Sequence, residues 1–220
     1  MSRPELDAPQ LRVLGVLIEK AMTTPQAYPL SENAVISACN QTTARDPVVS
    51  YDQTTVRRAL RELRQAGLAR LVQRAGDRTE KHAHKLDEAL DLSDGGFALL
   101  AVLMLRGPQT AAELRARTER MHEFPTPQDA AAALEALSEG GEPLVEQLPR
   151  QPGRKGVRYG HLLADQVTAA APPEPSREWQ DVPEPDPADD APTVAALAEE
   201  VTQLRQEVAD LRTRLDQLTN

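Results

Sequence analysis

The sequence contains an internal repeat, which limits the folds that it can adopt. The segment Ala59–Leu63 recurs in altered form as Ala133–Leu137, and each lies in a third helix-like stretch that glycine ends. Two strand-like runs separated by a turn follow in both places. We therefore expect one pattern of three helices and a β-hairpin to occur twice. A single six-helix domain is the alternative.

In the first copy, apolar residues at helical spacing predict a helix over about residues 8–22. Ser31 is a candidate N-cap for a second helix, Ser50 and Gln53 form a capping-box pattern for a third, and Gly67 is suited to end it. The strand-like runs are Leu68–Arg74 and Thr79–Leu86. Three helices followed by a hairpin predict a winged helix.

The second copy follows the same order. Phe97–Leu105 is apolar on all sides, so we expect a central, buried helix. Thr110 with Glu113 predicts a capping box for a second helix, and Thr126 before Pro127 predicts the start of a third. The strand-like runs are Leu144–Leu148 and Val157–Leu163.

The predicted fold class is therefore mainly α with short β-hairpins, in two tandem winged-helix domains plus a C-terminal coiled-coil helix. The expected boundaries are residues 1–90 and 91–165 for the domains, 166–192 for a linker and 193–220 for the helix. The linker is rich in proline and acidic residues, with too little apolar content to fold alone.

Charge is distributed unevenly along the chain. The formal net charge is −9, yet residues 1–92 carry 13 basic and 12 acidic side chains, whereas residues 166–220 carry 4 and 12. The overall acidity therefore says little about what the first copy binds.

The third helix of a winged helix usually enters the DNA major groove, and the hairpin, or wing, follows the phosphates. The residues predicted to contact DNA are Gln53, Thr54, Arg57, Arg58 and Arg61 on the helix, with Arg74, Arg78 and Lys81 on the wing. Gln and Arg can form paired hydrogen bonds with purine edges. The alternative is a solvated helix face, partly neutralised by Asp52 and Glu62.

The third helix of the second copy presents Asp129, Glu135 and several alanines, a surface that would repel phosphate, so we expect it to make no DNA contact. A possible second wing carries Arg154, Lys155 and Arg158. A solvated turn is an equally good interpretation of that wing.

Several function classes are disfavoured by what the chain lacks. It contains no GxxxxGK[ST], GxSxG or HExxH motif and no metal-ligand spacing, so we expect no catalytic residues, no cofactor and no metal. Cys39 is expected to be a small buried hydrophobic residue, and His82 and His84 are expected to be structural. Because the longest apolar run is Phe97–Leu105, we expect a cytoplasmic protein without a membrane span.

Six segments carry a resemblance to a known family, namely Thr23–Ser31, Ala38–Gln41, Leu105–Thr110, Glu113–Arg117, Arg120–Met121 and Arg158–Leu162. They resemble the YceH family of bacterial proteins. The resemblance covers about residues 8–163 and implies two tandem winged helices. It supplies no catalytic or binding residues.

The function expected is that of a non-enzymatic, DNA-binding or transcription-associated protein whose first winged helix contacts duplex DNA. The rival is a protein-interaction scaffold whose winged helices are docking surfaces, with a protein partner on the second domain and no DNA binding. Salt dependence separates them, because phosphate contacts make log K fall linearly with log salt.

The C-terminal segment has a heptad pattern. Apolar residues alternate by three and four along it at Val194, Leu197, Val201, Leu204, Val208, Leu211, Leu215 and Leu218. Val at most a positions and Leu at every d position favour a parallel two-stranded coiled coil. A parallel dimer would also pair Glu200 with Arg205 and Glu207 with Arg212. The alternative is an amphipathic helix that packs on its own chain.

Truncation after Asp190 tests this dimer. We expect both winged helices to remain folded. The mass measured by light scattering should fall from dimer to monomer, because the apolar residues of the predicted coiled coil are removed. If the truncated chain is still a dimer, the interface lies within residues 1–190 instead.

Overall fold

The computed structural model describes residues 3–73, 79–90, 92–139, 141–149 and 156–164 of the 220-residue chain. The first half contains α1 (Ala8–Thr23), a 3-10 turn (Pro25–Ala27), β1 (Leu30–Ser31), α2 (Glu32–Cys39), α3 (Gln53–Gln65), β2 (Ala69–Val72), β3 (Lys81–His84) and α4 (Leu86–Ala89). The second half contains α5 (Asp94–Arg106), β4 (Gln109–Thr110), α6 (Ala111–Thr118), α7 (Pro127–Ser138), β5 (Val145–Leu148) and β6 (Arg158–His161).

Each half contains one three-stranded antiparallel sheet, ordered β1-β3-β2 in the first and β4-β6-β5 in the second. Ser31 pairs with Lys81 in one sheet, and Thr110 pairs with Arg158 in the other. Apart from the 3-10 turn and α4 of the first half, the order of elements is thus the same in the two halves, which we call the first and second repeats. This confirms a mainly α fold with short β-hairpins, and it adds the short strands β1 and β4, which the sequence patterns did not predict.

Most of the predicted helix ends are confirmed. Ser31 caps α2, and Thr110 and Thr126 form capping boxes with Glu113 and Asp129 at the starts of α6 and α7. Gly67 has φ +74°, and the neighbouring Leu68 N–H donates to the Leu63 carbonyl at 2.8 Å. This arrangement satisfies the last carbonyls of α3 in a Schellman motif.

The capping box predicted for Ser50 and Gln53 is wrong. Asp52 is the N-cap of α3, and its Oδ1 accepts from the Thr55 N–H at 2.8 Å. The helix therefore begins two residues later than the pattern implied, and Gln53 is its first residue. The Gln53 side chain is consequently free to reach a neighbouring helix.

One hydrophobic core includes residues of both repeats. The predicted central helix is confirmed, since α5 is buried continuously from Gly95 to Leu105. It packs against α1 at Gly15, where an added methyl group would lie 3.0 Å from Leu105 Cγ. No helix among the described residues is long and apolar enough to cross a membrane.

A buried arginine fixes the connection between α2 and α3. The Arg45 guanidinium has no exposed surface, and it donates to both carboxylate oxygens of Glu19, at 3.0 and 2.7 Å. Its Nε donates to the Ala38 carbonyl at 3.0 Å. Burial by itself would raise the pKa of Glu19, but the Arg45 hydrogen bond and charge hold this pKa below its usual value. The connection is thereby anchored to α1.

Replacing Arg45 by Met should lower the free energy of unfolding by about 3–5 kcal/mol, because Glu19 would lose the partner that contacts both of its oxygens and keep only Lys20, 3.4 Å away. The Glu19→Gln/Arg45→Met double variant should recover part of this loss. Urea unfolding measures both, with exposed Arg61→Met as the control. A loss under about 1 kcal/mol for Arg45→Met would contradict the assigned role.

The ion pair of Glu19 with Arg45 should make the stability of the protein depend on pH. Because the pKa of Glu19 is lowered on folding, the stability that the pair contributes is present above the unfolded-state pKa, near 4.5, and is lost as pH falls through the lower folded-state value. The difference in stability between wild type and Arg45→Met should therefore shrink on acidification. A constant difference from pH 7 to pH 3 would contradict this linkage.

Candidate nucleic-acid interface

Helix α3 exposes the polar face that the sequence predicted. Val56, Leu60 and Leu63 are buried in the core. The exposed residues on the opposite side include Gln53, Thr54, Arg57 and Arg61. These four side chains form what we call the α3 face.

A carboxylate from α2 holds part of the α3 face. Arg57 donates from Nε to Glu32 Oε2 at 3.0 Å and from Nη2 to Glu32 Oε1 at 2.8 Å. Gln53 Nε2 donates to the same Oε1 at 2.7 Å. The hydrogen bond from Arg57 lowers the pKa of Glu32, and the same bond raises the pKa of Arg57. Glu32 therefore remains ionised and bridges α2 to α3.

Arg58 pairs with other carboxylates than Glu32. Its Nη1 lies 3.0 Å from Asp7 Oδ2 and 2.8 Å from Glu62 Oε2. Asp7 is also the N-cap of α1, so Arg58 links α3 to the start of that helix. These contacts account for the half-buried position of Arg58 without DNA.

Arg61 is exposed and makes no hydrogen bond or ion pair with the part of the chain that the structure describes. It can therefore meet a phosphate without breaking an interaction within the protein. Its equivalent in the second repeat is exposed Glu135.

The wing residues are only partly described. Lys81 is half-buried at the start of β3, opposite Val72. Arg74 and Arg78 lie outside the described residues, as do Arg154 and Lys155 of the possible second wing. Arg158 is half-buried on β6 and donates from Nη2 to the Pro108 carbonyl. The side chains predicted for dimerisation, from Val194 to Leu218, also lie outside them.

The second repeat has small residues where the first has the Glu32 bridge. Matching the caps Ser31 with Thr110 and Asp52 with Thr126 makes Glu32 equivalent to Ala111, Gln53 to Pro127 and Arg57 to Ala131. An open groove of about 360 Å³ lies there. Its lining includes Thr110, Ala111, Ala112, Pro127, Gln128, Ala131 and Tyr159.

The sequence patterns identified the exposed side chains of α3 but missed their partners Glu32 and Asp7. Glu32 directly follows the N-cap Ser31, a common position for an acidic residue at a helix N-terminus. Its contact with Arg57 depends on how α2 crosses α3, which no local pattern specifies. The acidic first turn of α2 was the one available signal.

The described residues contain no group of three potential ligands that could hold a metal ion. His82 and His84 flank buried Ala83 on β3, and burial lowers the pKa of each. Cys39 is fully buried in α2, and burial raises the pKa of its thiol to about 12. A thiolate nucleophile is therefore strongly disfavoured at this position.

The burial of Cys39 predicts slow modification. In the folded protein at pH 8, a thiol-reactive chromogenic disulfide should react far more slowly than in urea-unfolded protein, because the thiol is both protonated and covered. The chain has one cysteine, so the absorbance reports this site alone. Equal rates in the two states would contradict the described burial.

Comparison with known proteins identifies relatives along most of the chain. A family model described as "Protein of unknown function, DUF480" matches residues 6–154. A UPF0502 protein of Opitutus terrae is 46% identical over 210 residues, which cover 95% of this chain and 84% of the relative. One from Pelobacter propionicus is 46% identical over 211 residues, covering 96% and 95%. The chain therefore belongs to the DUF480 family of UPF0502 bacterial proteins, as its resemblance to YceH proteins predicted.

Proposed function

We propose that this protein binds duplex DNA through the α3 face and catalyses no reaction. The observation that carries the proposal is the clustering of Gln53, Thr54, Arg57 and Arg61 on the exposed side of one helix. All four side chains are suited to DNA, because Gln and Arg can bind base edges and Thr and Arg can bind phosphate.

The order of elements supports a winged-helix interpretation of each repeat. In the first repeat, three helices are followed by a β2-β3 hairpin, and the short strand β1 pairs with β3. This is the arrangement in which a third helix can enter the major groove while a hairpin follows the backbone. Arg74, Arg78 and Lys81 would then contact phosphates.

The local charge supports the same interface. Arg61 is unpaired among the described residues, and the ion pair of Arg57 with Glu32 is exposed to solvent. Glu32 contacts only Nε and Nη2 of Arg57, so Nη1 can meet DNA without breaking the ion pair. Residues 1–92 carry 13 basic and 12 acidic side chains, so the first repeat does not share the net acidity of the last part of the chain.

Dimerisation through residues 193–219 is a further part of the proposal. Two α3 faces joined through a proline-rich tether would bind DNA with raised local concentration, without a fixed half-site spacing.

The charge reversal Arg61→Glu tests DNA binding. In fluorescence anisotropy with a 25-base-pair duplex at about 50 mM salt, we expect at least a ten-fold loss of affinity and a smaller salt slope, because a phosphate contact is lost. The variant should fold, since Glu135 is the equivalent residue of α7.

The matched control is Arg120→Glu, which makes the same charge change at an exposed position of the second repeat. It should retain nearly wild-type affinity. Failure of the wild-type chain to bind any duplex at 50 mM salt would refute the proposal, as would equal losses in the two variants.

The second candidate function is protein docking through the second repeat. The observation that favours it is the groove at Ala111, Pro127 and Ala131, whose small side chains leave open space beside an acidic helix face. A pull-down with nuclease treatment separates the two functions. Partners that survive nuclease favour docking, and partners lost with the DNA favour the first proposal.

A further inference from the structure

We infer that Arg57 is the residue that reads a guanine base, and that Glu32 is the positioning residue that aims it. This inference rests on the proposed DNA binding and adds its specificity determinant. We base it on the contact of the Glu32 carboxylate of α2 with two side chains of the α3 face, those of Gln53 and Arg57.

The outer edge of the Arg57 guanidinium is not occupied by Glu32. Glu32 takes one side of the guanidinium, accepting from Nε and Nη2. Arginine has five N–H donors, so both hydrogens of Nη1 and one of Nη2 remain available. These lie on the end of the guanidinium fork, the edge that can donate two parallel hydrogen bonds to guanine O6 and N7.

The exposed fractions of the Arg57 and Glu32 side chains suit a positioning role for Glu32. The Arg57 side chain is 63% exposed, whereas that of Glu32 is 24% exposed. The carboxylate thus lies nearer the protein and the guanidinium nearer solvent. An arginine already held in one orientation loses less side-chain freedom on binding than a free one.

Gln53 extends the same arrangement. It lies one turn before Arg57 on α3, and its amide nitrogen donates to the Glu32 oxygen that Nη2 of Arg57 also contacts. Its amide oxygen makes no hydrogen bond with the described residues, so it remains available as an acceptor. One carboxylate therefore orients two neighbouring side chains.

The second repeat provides an internal comparison. Its equivalents Ala111, Pro127 and Ala131 can form none of these contacts. An open groove lies at that place, and Arg115 of α6 instead donates to the carbonyls of Phe124 and Pro125 just before α7. Joining the second and third helices therefore does not require a carboxylate that contacts the exposed face of the third helix, which favours a role in recognition for Glu32.

The experiment is selection from a random duplex library with the full chain, followed by affinity measurements on the selected and scrambled sites. The wild type should enrich a motif containing guanine. Arg57→Lys keeps the charge but loses the fork, so preference for that guanine should fall by roughly 5- to 150-fold while affinity for scrambled DNA stays within about two-fold.

Two further variants separate positioning from charge. Glu32→Gln should weaken the preference for the same guanine, because Arg57 is no longer held by a carboxylate. Affinity for scrambled DNA should be unchanged or increase, because a negative charge near the phosphates is removed. Arg61→Ala should lower affinity for all sequences and leave the motif unchanged. Thermal unfolding checks that each variant is folded.

The outcomes distinguish this inference from the proposed function. An unchanged motif in Arg57→Lys and Glu32→Gln would overturn the inference and leave DNA binding standing, as would wild-type binding without sequence preference. A wild-type chain that binds no duplex would overturn both.

Discussion

Helix α1 packs closely against α5, and this contact joins the two repeats in one core. Gly15 of α1 has no side chain, and an added Cβ would lie 3.0 Å from Leu105 Cγ and 3.2 Å from Met104 Cβ. The two helices can therefore share one core, to which Leu60 of α3 and Leu134 of α7 also belong. Hydrogen bonds from Leu6 to Leu163 and from Asp46 to Leu105 connect the repeats further. Both third helices are thus held by the same core, which leaves their outer faces to diverge.

That divergence gives the two repeats different surfaces. In the first, Glu32, Gln53 and Arg57 form a charged and hydrogen-bonded bridge across α2 and α3. In the second, alanines and a proline replace these residues, and Glu135 replaces Arg61. The core positions stay apolar in both, with Leu60 matched by Leu134. The two repeats therefore share a scaffold but differ in surface, with basic and polar side chains exposed on α3 and acidic and small side chains exposed on α7.

Much of the fold could be predicted from local patterns. The caps Ser31, Thr110 and Thr126 and the turn at Gly67 were predictable because each depends on residues within one turn of the helix end. The strands β1 and β4 were not, since each has two residues and forms only by pairing with a distant hairpin.

The candidate site was predictable to a similar extent. Helical periodicity was enough to identify Gln53, Thr54, Arg57 and Arg61 as exposed. It gave no sign that Arg58 contacts Asp7, or that Arg45 is buried against Glu19. Both contacts join residues far apart in sequence, so they depend on how the helices pack, whereas Arg58 and Glu62 are one helical turn apart on α3.

The proposed binding of duplex DNA to α3 of the first repeat can be followed residue by residue. Amide chemical shifts of the isotope-labelled full chain would be recorded during titration with a short duplex at low salt. We expect saturable shifts over Gln53–Arg61 and at Glu32, with little change over Pro127–Glu135. Shifts that cluster on α7, or no shifts at all, would contradict the proposal.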